Sequence, residues 1–320
     1  MAHEFESGFF VKEPAWHQLG VVLGDSPKTS EEAIKAAGLD WTVVPKDVFI
    51  LIDGKEVRFE GKRALVRDTD NQQLAIVSNV YRIIQNTEAF KFFDPAIENG
   101  MAHYETAGSL RHGQIIWVLA DMKQTSEIQH GDPVKRYLLL TNNHGDHRAC
   151  RILTTTVRVV CMNTLRMALL GGAEGTAGHV VRHQGNVTEQ LVNIQNMLGL
   201  AQLQMEADDL VFKKMSTLEL NSEMINDFLD ALYPRADHME AMRQSVERHR
   251  QHIMALTTSG TGANIGRPSL WTLYNAATEH IDYYAGGRAR DRVQYALNGG
   301  GNDLRNRAFA TAAQLAGAGD

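Results

Sequence analysis

The residues whose types and spacing could do chemistry lie between Lys135 and Arg182. Lys135, Arg136, Arg148, Arg151, Arg158, Arg166 and Arg182 stand there against only Asp146 and Glu174, a local balance of +5 in a chain whose net charge is −6. From Arg151 to Val160 the strand period of two puts Thr154, Thr156 and Arg158 on one face and Leu153, Thr155, Val157 and Val159 on the other. Guanidinium and hydroxyl groups on a sheet face can hydrogen-bond a phosphate backbone without reading bases, and an aromatic such as Tyr137 can stack on an exposed base. The expected chemistry is phosphate-backbone binding by Lys135, Arg136, Arg148, Arg151, Thr154, Thr156 and Arg158. A solvated polar sheet face is the plainer reading of the same residues.

Other constellations are less specific. His144, Asp146 and His147 crowd the loop from Asn142 to Arg148, but a metal needs a further ligand and a fixed geometry, so an exposed polar turn is expected and no metal site is assigned. Gly260, Gly262 and Gly266 precede a helix without the Lys-Ser or Lys-Thr of a P-loop and without the strand of a dinucleotide fold. The expectation there is a mobile loop and no ATP or NAD. Glu279 and His280 are adjacent on a helix and point about 100° apart, which disfavours a general acid–base pair. No Gly-x-Ser-x-Gly, no His-Glu-x-x-His and no paired acidic nuclease motif occurs. No catalytic residue and no cofactor is therefore assigned, and a non-enzymatic role is expected.

The element that must position the basic residues is a hairpin, Tyr137 to Thr141 and Ile152 to Val160, joined by a polar loop with Gly145 and followed by an apolar helix from about Asn163. Upstream, Thr29-Ser30-Glu31-Glu32 has a capping-box pattern for a helix ending near Gly38. Asp53-Gly54 between two β runs marks a second hairpin, and a helix from about Thr87 to Glu98 should kink or split at Pro95. Strands at Ala102 to Leu110 and Gln114 to Asp121 complete a largely antiparallel sheet, because most connections are too short for parallel crossovers.

Beyond Asn186 the apolar period becomes helical. Val187, Leu191, Ile194, Leu198, Ala201 and Met205 recur by four and three, Asp208 interrupts, and Phe212 and Met215 resume the register. Further helices are expected from Ser222 to Leu232, around Met239 to Leu256, around Leu270 to Tyr284, from Arg288 to Arg292 and after Gly301. The fold class is α+β, with residues 1–185 as a sheet domain and 186–320 as a helical region packed on it or forming a second lobe.

With 320 residues, 43% hydrophobic and 22% charged, the composition is that of an ordinary globular protein. No run of 18 apolar residues offers a membrane span, and the acidic start lacks the basic region of a secretory signal. The two cysteines, Cys150 and Cys161, fit a reducing cytoplasm and buried small side chains. Residues 186–247 hold 11 acidic against 4 basic residues, so an acidic part balances the basic one.

Three stretches carry a resemblance. They are Met1-Ala2-His3-Glu4 with Pro14-Ala15-Trp16-His17-Gln18-Leu19-Gly20, then Thr156 to Leu165 (TVRVVCMNTL), then Trp271 to Glu279 (WTLYNAATE). With them the chain resembles the phage- and plasmid-related proteins catalogued as a domain of unknown function. The resemblance implies a mobile-element protein handling DNA in a bacterial cytoplasm. In its order of sheet, hairpin and helix the chain is also similar to phage single-strand annealing proteins, which implies a ring- or filament-forming homo-oligomer active in recombination. The leading expectation is a protein that binds and anneals single-stranded DNA without nucleotide hydrolysis. The alternatives are a non-enzymatic phage protein binding a host factor through the acidic helices, and a metal-dependent enzyme using His144, Asp146 and His147.

Overall fold

The computed structural model describes residues 5–12, 20–144, 149–158, 179–235, 240–285 and 300–317, with side chains omitted at 153–158, 196–205, 240, 241, 282, 300 and 302. The expected helices from Asn163 and from Arg288 to Arg292 lie outside the described residues. The protein is α+β, its sheets mostly antiparallel and its C-terminal part helical. No helix among the described residues is long and apolar enough to cross a membrane.

Two compact units emerge. The first gathers Met1–Lys123, Tyr137–Thr154 and Gly178–Gly199; the second takes in Gln124–Arg136, Thr155–Ala177 and Leu200–Asp320. This division differs from a single cut at 185. The backbone passes to the second unit after Lys123, returns after Arg136, passes again after Thr154, returns at Gly178 and passes a last time after Gly199.

The larger sheet has the order β10-β9-β8-β7-β6-β1-β2. Its strands are β1 (Phe5–Val11), β2 (Val21–Leu23), β6 (His103–Leu110), β7 (Ile115–Gln129), β8 (Asp132–Asn143), β9 (Cys150–Arg158) and β10 (His179–Val181). β8 and β9 are neighbours in this sheet, as the hairpin expected from sequence requires, and the loop residues 145–148 lie outside the described residues. The helix α1 (Ser30–Ala37) starts where the capping pattern puts it: the Thr29 hydroxyl accepts from Glu32 N at 3.2 Å, and Gly38 closes the helix at φ 67°. Glu32 in turn accepts from Lys28 N at 2.8 Å, one residue earlier than a capping box requires.

β3 (Val43–Ile52), β4 (Lys55–Arg67) and β5 (Gln73–Ser78) form a smaller sheet. Asp53 at φ 51° and Gly54 at φ 77° make the tight turn that Asp-Gly announces, because both positions need the left-handed region. The distal half of this ribbon leaves Phe49, Leu51 and Phe59 exposed. Pro95 splits the expected helix into α2 (Asn86–Lys91) and α3 (Asp94–Glu98), where it occupies a first-turn position that needs no N–H donor. The core of this unit includes Phe9, Leu39, Leu65, Phe90, Phe93, Tyr104 and Leu140, each at most 1% exposed.

In the second unit α4 (Val187–Thr217) contributes its C-terminal half, beside α5 (Ser222–Leu232), α6 (Glu240–Ser259), α7 (Leu270–Tyr283) and α8 (Gly300–Leu315). α4 runs unbroken through Asp208, as expected from the helical register that Phe212 and Met215 resume. Phe212, Phe228, Ile253, Leu273 and Ala312 fill its core, and Ile128 and Val134 from the β7–β8 turn region join them.

Candidate functional site

The expected basic face divides when each residue is placed. Cys150 and Ile152 are buried at 0% and 1% exposure, so the core side of β9 is the side on which they lie, and half-buried Arg151 lies on the other. The strand period alone puts positions 154, 156 and 158 in phase with 150 and 152, and out of phase with 151. Arg151 and the set Thr154, Thr156 and Arg158 are thus alternate in register. The side chains of Thr154, Thr156 and Arg158, and the whole of Arg148, lie outside the described residues.

Arg136 is a correction to the expected surface. It is 2% exposed and forms an ion pair with Asp209 of α4, while its Nη2 also donates to Ser126 Oγ at 3.2 Å. A guanidinium so enclosed serves the packing of the second unit and offers nothing to a solvent-borne phosphate. Lys135 beside it is half-buried. Tyr137, considered for base stacking, is 4% exposed and therefore presents no ring to a ligand. The same turn region is fixed by Trp271 Nε1, which donates to Asp132 Oδ2 at 2.8 Å, and by Gln129 Nε2, which donates to Ile265 O at 2.8 Å.

What remains of the basic set in the first unit gathers at the β9–β10 end of the sheet. Val180 pairs with Arg151 across the two strands and is 53% exposed, so both project from the side away from the core. Arg182, one residue beyond β10, is exposed. Arg82, which the sequence reading overlooked, joins it: Arg82 N donates to His183 O at 2.7 Å, and His183 Nδ1 meets Arg82 O at 2.8 Å. Tyr81 stacks on His183 with centroids 4.4 Å apart and holds this crossing in place. Only the tertiary pairing brings Arg82 beside Arg182; no sequence motif links them.

The His144 loop takes a different role from the one weighed for a metal. His144 is fully buried, with Nε2 3.1 Å from Asn86 Oδ1 and its ring edge-on to Trp41. Burial, and then the nearby His183, push its protonation down to about 3. Its proposed co-ligands Asp146 and His147 lie outside the described residues. Cys150 is likewise enclosed, and burial pushes its thiol up to about 12, so it is an inert core side chain.

The glycine-rich loop is tied down rather than mobile. Thr261 N donates to Glu279 Oε2 at 2.9 Å, and the Gln129 bond to Ile265 fixes its far end. Glu279 therefore anchors a loop while His280 turns into the helical core, which agrees with their divergence on the helix. Among the described residues one group of three can hold a metal ion: His103, Glu105 and Asp121.

No curated protein and no solved structure matches the chain. A family model described as a domain of unknown function, DUF932, matches residues 73–299, a span that runs from β5 to just before α8 and covers well over half of the chain. The protein belongs to the DUF932 family.

Proposed function

We propose that this protein binds single-stranded DNA and promotes annealing, without nucleotide hydrolysis, as a homo-oligomer encoded by a phage or other mobile element and acting in the bacterial cytoplasm. The observation that supports this reading is that Arg82, Arg151 and Arg182 all lie at the β9–β10 end of the larger sheet, with Arg82 and Arg182 exposed. Arginines held by a rigid backbone can grip successive phosphates and leave bases exposed for pairing. Binding of this kind falls steeply with salt, because each neutralised phosphate releases counterions.

The test is fluorescence anisotropy of a labelled single strand of about 40 nucleotides, several binding footprints long, at two salt concentrations beside a duplex of equal length. Tight, salt-sensitive binding that prefers the single strand is expected. The double variant Arg82→Glu, Arg182→Glu should reduce affinity by at least about tenfold, since two phosphate contacts become repulsive. Absence of binding at low salt overturns the reading and turns attention to a host protein as the partner.

A further inference from the structure

We infer that His103, Glu105 and Asp121 form a binding site for one divalent transition-metal ion of the zinc or manganese kind. The site lies within the first unit, on two neighbouring strands. His103 on β6 pairs directly with Asp121 on β7, which places both side chains on one face. The register then shifts between Tyr104 and Thr106, leaving Glu105 as the extra residue of a bulge, and its side chain joins the other two. Bulges commonly re-aim a side chain in this way.

The distances suit a shared cation. His103 Nε2 lies 3.6 Å from Glu105 Oε2 and 3.8 Å from Asp121 Oδ2, and the three ligand atoms all fall within 4.8 Å of one another. A protonated imidazole bridging two carboxylates would draw in to about 2.7–2.9 Å. Atoms sharing a tetrahedral ion at about 2.1 Å stand roughly 3.4 Å apart, close to the spacing seen.

The surroundings suit such an ion. The Asp121 side chain is 4% exposed and its Oδ1 accepts from Lys123 N at 2.8 Å, which fixes the carboxylate and leaves Oδ2 directed at His103. Tyr137 stands on the adjoining strand. One imidazole and two carboxylates favour a borderline transition ion over magnesium or calcium, which prefer all-oxygen shells. Three protein ligands leave a coordination position for water or an oxygen-donor substrate.

The test is isothermal titration of the full chain, stripped with a chelator, with zinc chloride and separately with manganese chloride. One ion per chain is expected, and Glu105→Gln and His103→Gln should each weaken binding at least about tenfold. Asp121→Asn alters a buried group and can fail to fold, so half-buried Glu105 provides the deciding variant, with circular dichroism verifying its fold. Absence of saturable binding overturns the inference. So does unchanged binding in both variants, which would put the ion on others of the 13 histidines. Displacement by millimolar magnesium would overturn the assignment to a transition ion.

Discussion

His280 Nε2 lies 2.8 Å from His249 Nδ1. On its other side His280 Nδ1 lies 2.8 Å from His252 Nδ1, so one ring bridges two others across α6 and α7. Each neutral imidazole has one N–H, and the donors must therefore all run in one direction along the row. Burial, then His249 and His252, push His280 down to about 3, and burial with Arg248 and His252 lowers His249. A histidine depressed below its ordinary value of about 6.5 binds its proton in the unfolded chain first. Stability should accordingly be complete above that value and decline as pH falls from it toward 3, with His144 adding to the loss. Each group contributes at most about 1.4 kcal/mol per pH unit. Thermal melts across this range should show the decline, and His280→Phe should make it shallower.

The ion pair of Arg136 with Asp209 predicts a stability defect and no binding defect. Arg136→Ala leaves a buried carboxylate without its partner, a change that costs about 3–5 kcal/mol. Urea unfolding should show that loss, while the folded fraction retains the DNA affinity of the parent. A selective loss of DNA affinity at unchanged stability would return Arg136 to the binding surface.

Gly108 pairs with Gly8 between β1 and β6. A methyl group on Gly108 would stand 2.3 Å from Ser7 O and 2.6 Å from the Trp117 ring, where backbone and a buried indole leave no room. Gly108→Ala should destabilise by about 1–3 kcal/mol, the usual range for overpacking. An unchanged melting temperature would show that β1 can move aside.

Thr29→Ala removes the hydroxyl that accepts from Glu32 N. The expected loss is about 1 kcal/mol, as for other N-caps. Thr29→Ser should recover most of it, which denaturant melts of the two variants would measure.

Local signals were legible in the sequence, and long-range charge pairing was not. Thr29 and Gly38 bound a helix because capping is decided within a few residues, and Asp53-Gly54 made its turn because two left-handed positions in succession leave little choice. Pro95 split its helix for the same local reason. The basic face misled because charge was counted along the chain, whereas the fate of Arg136 depends on Asp209 in a distant helix. β7 was read only to Asp121, since the stretch Lys123 to Gln129 is polar and gives little apolar signal. Arg82 beside Arg182, and His103 beside Asp121, are products of strand and loop pairing that no single stretch contains. β8 and β9 lie side by side where the sequence puts two strands, yet the phase of the arginines there depends on which side Cys150 and Ile152 bury.

The route of the backbone between the two units also constrains inheritance. Because Gln124–Arg136 belongs with the chain beyond Leu200 while the segments on either side of it belong with the first unit, no single breakpoint separates the two without severing a strand. Neither unit can be exchanged between relatives by one crossover, or acquired by fusion at one end. Descent should therefore favour replacing the pair together, with variation arriving through side chains and loops rather than by trading modules.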